Sequence, residues 1–288
     1  MAMEKIIGYG IVAIIALAIV LGLLISLWEF VKTILARRQR NRELTSYHDI
    51  PVEGNLKVAY DMMNEYQFSK SGYERLLSAS VLKLIKLGAF SIEWHEDADG
   101  KRAQRFVIHD ITLSDTEPTM MHTLYDLFRA AAGDDCLLEP QELKAYFDSE
   151  KNDYTVHKFV DQMEMGSKYK HKDFKAMHDD AMQVFGLRKF LSEFALMDES
   201  GQKDVSLWND YIVWATLFGI SEQVIRDMKK LNPEYFRVDP VASQMADDMT
   251  LAMIKETLLK GVKSSYARSS NTEDSDKRGR RSSSSSAS

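Results

Sequence analysis

The side chains in this 288-residue chain best suited to bind a metal or move a proton are 7 histidines and 43 acidic residues. The densest grouping is His171, Asp173, His178, Asp179 and Asp180. Ligands on a single helix must recur at one-turn spacing to meet one ion. His171 and His178 are two turns apart, so they share a face without reaching a common ion. A solvated helical face accounts for the cluster. Asp97-Ala98-Asp99-Gly100 matches part of a calcium loop, but the twelfth position counted from His95 is Phe106, which cannot ligate. An Asp- and Gly-rich hairpin turn explains that stretch instead. Cys136 is the only cysteine, so an internal disulfide and a multi-thiolate zinc site are excluded. Asp134 and Asp135 beside it disfavour a thiolate. Glycine-rich phosphate loops and nucleophile elbows are absent. The expectation is therefore no catalytic centre, no cofactor and no metal.

The chain is 45% hydrophobic, which is enough to build a core, and has a net charge of −6, which counts against nucleic acid as the main partner. From Ile6 to Trp28 it carries no charge. A run of roughly 23 residues exceeds the ~20 needed to cross a bilayer as a helix. Basic residues follow it: Lys32, Arg37, Arg38, Arg40 and Arg42, against Lys5 and Glu4 before it. The bias of Lys and Arg toward cytoplasmic flanks puts the C-terminal side in the cytoplasm. A signal peptide would have its basic residues first and a shorter apolar core. Arg37, Arg38, Arg40 and Arg42 are placed at the membrane interface, where they set topology and can meet anionic headgroups.

Beyond the span, periodicity and punctuation give a mainly α chain with a small β-hairpin. After a flank at 1–5 and the span at 6–28, a basic juxtamembrane helix and linker occupy 29–55. At 56–115, two helices lead through Gly88 into a hairpin, Phe90–Trp94 with Arg105–His109. That is the order of a winged-helix-like unit. A second helical unit covers 116–170, and a helical segment with an aromatic motif covers 171–238. An amphipathic helix spans 239–263, with Met245, Met249, Ala252 and Met253 on one face. It is suited to packing on the domain, to pairing with a partner or, least well given its acids, to lying on a membrane. The Ser-rich stretch 264–288 lacks apolar content and is expected to be disordered. The fold expected is one transmembrane helix followed by a cytoplasmic helical domain containing the winged-helix-like unit.

Three stretches resemble the domain-of-unknown-function 2207 family of predicted bacterial membrane proteins (YciQ-like) in its cytoplasmic C-terminal part. They are Ile50-Pro51-Val52-Glu53-Gly54 with the helix and strand Leu77–Ile92, then Phe185–Leu191, then Leu207–Ile220. Members of that family usually begin with a signal sequence and a large extracytoplasmic β-rich domain, whereas this sequence starts at the membrane helix, as a shortened member or a piece of one would. The hydrophobic hairpin of many members is missing, because 168–178 is polar. The resemblance implies topology and fold. It brings no catalytic residue.

The function expected is a membrane-anchored cytoplasmic interaction or scaffold protein, with the lipid bilayer and an unidentified protein as partners. Trp208, Tyr211, Trp214 and Phe218 are candidates for contact, with a buried-core role as the competing account of each. The alternative is a membrane-tethered nucleic-acid-binding regulator. It would use Arg75, Lys83 and Lys86 on the second helix of the winged unit and Lys101, Arg102 and Arg105 on the wing.

Overall fold

The computed structural model describes residues 44–65, 73–96, 100–164, 177–194, 205–265 and 267–268, with isolated positions between 19 and 31. The chain divides into two units, Met1–Thr45 and Ser46–Ser288.

In the first unit the described positions between 19 and 31 are helical. Ile19, Leu21, Ile25, Leu27, Trp28 and Val31 are 41–65% exposed. At about 100° per residue these six side chains cover about 240° around the axis. An amphipathic surface helix would hide an apolar stripe. Here the exposed apolar side chains take up about two thirds of the circumference, and Gly22 and Ser26 on the remainder are exposed as well. Among the described residues no helix is long and apolar enough to cross a membrane. Most of the expected 6–28 span lies outside them, as do Arg37, Arg38, Arg40 and Arg42.

The second unit is helical around a small sheet. Helix α1 is Leu56–Glu65 and α2 is Glu74–Lys86. Gly88 takes φ +75 just beyond α2, which a glycine does without a steric cost, and turns the chain into the hairpin. Strands β1 (Phe90–Glu96) and β2 (Arg102–Ile108) pair antiparallel, Phe90 opposite Ile108 and Glu96 opposite Arg102. The third strand, β3 (Leu137–Leu138), joins β2 and comes from the next segment, after α3 (Thr119–Ala132). Its preceding residue Cys136 has left-handed backbone (φ 59) and accepts the Ile108 N–H through its carbonyl at 2.8 Å. Phe90 stacks on Phe128 of α3 with centroids 4.6 Å apart, and Phe106 meets the same ring edge-on. One core thus joins the hairpin to α3. Helices α4 (Pro140–Asp148) and α5 (Asp153–Glu164) pack on α3.

Helix α6 (His178–Ser192) leads to α7 (Trp208–Phe218), which lies against α1, α2, α6 and the later helices Ser221–Leu231 and Pro240–Met245. A helix apolar on all sides is stable only when surrounded, and nine of the eleven α7 residues are buried. Gly219 ends α7 at φ +73, with the Arg75 guanidinium so close that a Cβ there would lie 2.5 Å from its Cζ. Tyr211 Oη donates to the His48 carbonyl at 2.8 Å, and the His48 ring lies on Phe190. The end of the expected linker is therefore docked on the core. There, Val52, Glu53 and Gly54 all take positive φ, and Lys83 Nζ donates to the Gly54 carbonyl and pairs with Glu117.

Helices α8 (Ser221–Leu231), α9 (Pro233–Val238) and α10 (Pro240–Met245) follow. The single helix expected over 239–263 is interrupted. Asp247 accepts the Thr250 N–H and the Gln104 Nε2–H, so it caps a new helix, α11 (Asp248–Met253), instead of continuing the old one. A π-turn, Ile254–Leu259, extends α11, and the chain stays helical at 260–265 and 267–268. Disorder from Ser264 was expected, but Ser265 is fully buried. Its hydroxyl donates to Asp153 at 2.6 Å, and Arg268 donates to the same carboxylate at 3.0 Å. Residues 269–288 lie outside the described residues.

Candidate functional site

Trp208, Tyr211, Trp214 and Phe218 sit on the central helix and are 1%, 6%, 1% and 1% exposed. They offer no surface to a partner. Trp208 meets Phe194, Tyr235 and Phe236, Tyr211 meets Phe190, and Trp214 lies 5.8 Å from Phe218. The aromatic motif builds the core. Tyrosine and tryptophan serve interfaces and cores alike, so composition could not separate the two roles.

The helix expected to read nucleic acid is also unavailable. Helix α2 is flanked by α1, α7, β1 and the π-turn. Lys83 is bound to Gly54 and Glu117, Lys86 to Asp210 at 2.5 Å, and Arg75 to the Phe218 carbonyl at 3.4 Å. On the hairpin Arg105 pairs with Glu93, and Arg102 lies 4.2 Å over the Trp94 ring. Phosphate contacts need an exposed basic surface. The helix-then-hairpin order is present, but its cations are used to hold the fold together.

Of the acid–histidine cluster, His171 and Asp173 lie outside the described residues, while His178, Asp179 and Asp180 form the first turn of α6. Among the described residues no group of His, Cys, Asp and Glu could hold a metal ion. Asp97 and Asp99 lie outside the described residues.

What the fold does build is an open groove of about 760 Å³ between α8 and the α11–π-turn helix. One wall is Glu222, Ile225, Arg226, Lys229 and Lys230. The other is Asp248, Leu251, Ala252 and Lys255. Each wall follows the i, i+3, i+4, i+7 spacing of a single helix face. Lys229 Nζ donates to the Ala246 carbonyl, which ties the C-terminal end of α8 to the start of α11. At the other end, Glu222, Leu251 and Lys255 also line a smaller adjoining cleft with Arg75, so the two helices run antiparallel. Ile225, Leu251 and Ala252 supply the apolar lining. Four cations face two carboxylates across it. Arg226 and Lys255 are exposed and have no ion-pair partner among the described residues. The sequence places this wall within the helical segment 171–238 without singling out its face; the 222/225/226/229/230 spacing is the signal that marks it.

Near this end of the molecule Arg188 of α6 is half-buried. Burial first, and then the like charge of Arg75, pull its guanidinium below the usual arginine range.

Residues 176–228 match the family described as Predicted membrane protein (DUF2207) C-terminal domain. Over that stretch the chain is similar to the C-terminal domain of the DUF2207 family. The matched stretch spans α6, α7 and nearly all of α8, so it includes the central helix and, of the groove's basic wall, Glu222, Ile225 and Arg226. The resemblance read from Phe185–Leu191 and Leu207–Ile220 is borne out there. The family description supports a membrane location. Neither a curated protein nor a solved structure matches the chain.

Proposed function

We propose that this is a single-span membrane protein whose folded unit, Ser46–Ser288, lies on the cytoplasmic side and docks a protein partner. The observation that carries the anchor is the exposure of apolar side chains over about 240° of the helix between Ile19 and Val31, a far wider face than an amphipathic stripe. Burying six such side chains is favourable by on the order of 10 kcal/mol, and the hydrocarbon of a bilayer is the environment that takes all sides of a helix at once. The basic residues that follow, Lys32 to Arg42, favour the cytoplasmic orientation. The match to a family of predicted membrane proteins agrees. For the folded unit, docking is favoured because its exposed two-walled groove has the form of a peptide-recognition surface.

The orientation is tested with a reporter active only in the cytoplasm, fused to the C-terminus, together with protease added to spheroplasts. An active, protected reporter is expected. Digestion from outside would overturn the orientation.

A further inference from the structure

We infer that the α8–α11 groove docks an acidic amphipathic helix of a partner protein; this rests on the docking function proposed above and names its partner class. The groove has the dimensions of a helix. Glu222 to Lys230 is a two-turn face about 12 Å long, opposed by a matching face on α11. Two walls of this kind lack the third helix that would fill the space between them. Such grooves receive helices through apolar anchors at i, i+3, i+4 and i+7. The receiving side chains are Leu251 and Ala252, over a floor formed by the buried Ile225.

Charge selects the occupant. The groove carries a surplus of two positive charges on a chain whose net charge is −6. Lys255 stands at one end, Lys229 and Lys230 at the other, and Arg226 between them, so a guest carboxylate finds a cation on successive turns. Lys229 and Lys230 are already bonded, to the Ala246 carbonyl and Asp227. Arg226 and Lys255 are not paired among the described residues, and they carry the selection. Glu222 and Asp248 decide against a lipid surface. A plane of phosphates would press negative charge on both, whereas a helix can set a neutral or basic residue against each. Lys255 lies on the π-turn, a rare geometry that recurs at functional sites.

The test uses the full chain in a zwitterionic lipid nanodisc and a fluorescent synthetic helix of roughly 18 residues, five turns. It has leucines at i, i+3, i+4 and i+7 and glutamates on the remaining face. A second peptide carries lysine in place of every glutamate. Binding of the glutamate peptide is expected, weakening as salt rises. The double variant Arg226→Glu with Lys255→Glu should bind it about tenfold less tightly or worse, since two exposed attractions become repulsions. Both residues are exposed, and an unchanged melting temperature confirms folding. Ala252→Trp, which fills the groove, should abolish binding independently. Equal affinity for the two peptides, or for the variant and the parent, overturns the inference. So does charge-dependent binding to phosphatidylglycerol vesicles without peptide binding, or self-association through the same residues. A photo-crosslinker placed in cells at Ala252 and at the exposed Tyr154 separates the two claims. Protein adducts at Tyr154 alone overturn the groove and leave the docking function standing. Adducts at neither position overturn both.

Discussion

Gly261 on the last helix is pressed against Phe147 of α4: a Cβ there would lie 2.5 Å from Cδ2, 3.0 Å from Cγ and 3.1 Å from Cβ of that residue. A contact of 2.5 Å is shorter than real Cβ atoms show, and Phe147 is 1% exposed, so its ring must shift within a buried setting to admit the methyl. Gly261→Ala therefore sets two effects against each other. Alanine should gain up to about 1 kcal/mol from helix propensity. Overpacking should cost about 1–3 kcal/mol. Set against the full propensity gain, the net expectation is a loss of up to about 2 kcal/mol, which in a folded unit of this size lowers the melting temperature by up to about 8 °C. Thermal unfolding of the full chain in detergent reads it directly. Phe147→Leu removes the ring atoms that obstruct the new methyl. In that background Gly261→Ala should cost less, and a double-mutant cycle should return a coupling of about 0.5–3 kcal/mol. A rise in melting temperature for Gly261→Ala alone would mean that propensity governs, and would refute the close seating of the last helix on α4.

Arg188→Met should leave stability unchanged or raise it, because it removes a half-buried cation disfavoured by burial and by Arg75; a clear drop in melting temperature would reveal an anionic partner. Asp153→Ala removes the shared acceptor of Ser265 and Arg268. Losing those bonds should cost about 1–3 kcal/mol and speed hydrogen exchange in residues 260–268, and unchanged exchange there would count against the latch. For Glu74, burial is the largest single effect and acts to raise the carboxyl, but the Lys263 hydrogen bond, a hydrogen bond from its own backbone and the charges of Lys263 and Arg75 together outweigh it, and the group is held below the ordinary 4.5. A depressed acid stabilises the fold above its unfolded value and loses that contribution as pH falls through the folded one. The parent should therefore lose more stability than Glu74→Gln as pH drops below about 4.5; parallel stability curves down to low pH would show that the pair contributes nothing.

Local chemistry made much of the backbone readable. The glycines after α2, α3 and α7 mark turns with φ of +75, +69 and +73, because only glycine takes that conformation freely. The alternation in Phe90–Trp94 and the apolar spacing in Leu76–Ile85 fall on a strand and a helix. What failed were readings that needed a neighbour. Asp247 looks like one acid inside a long amphipathic pattern until Gln104, distant in sequence, reaches it and fixes it as a cap. Ser265 and Arg268 look like the start of a polar tail until Asp153 gathers them.

By itself the sequence determined the uncharged apolar run with its basic flank, the positions of most helices and the hairpin, and the family of residues 176–228. Each depends on composition or on spacing within one segment, where the backbone's own periodicity is the relevant physics. The tertiary structure alone decided the rest. Trp208, Tyr211, Trp214 and Phe218 are core because five helices surround them. Arg75, Lys83 and Lys86 are fasteners because their partners lie up to 143 residues away. Arg226 and Lys255 face one groove because α8 and α11 run side by side, and whether a side chain is buried, bonded or free depends on what the chain brings against it from far along its length.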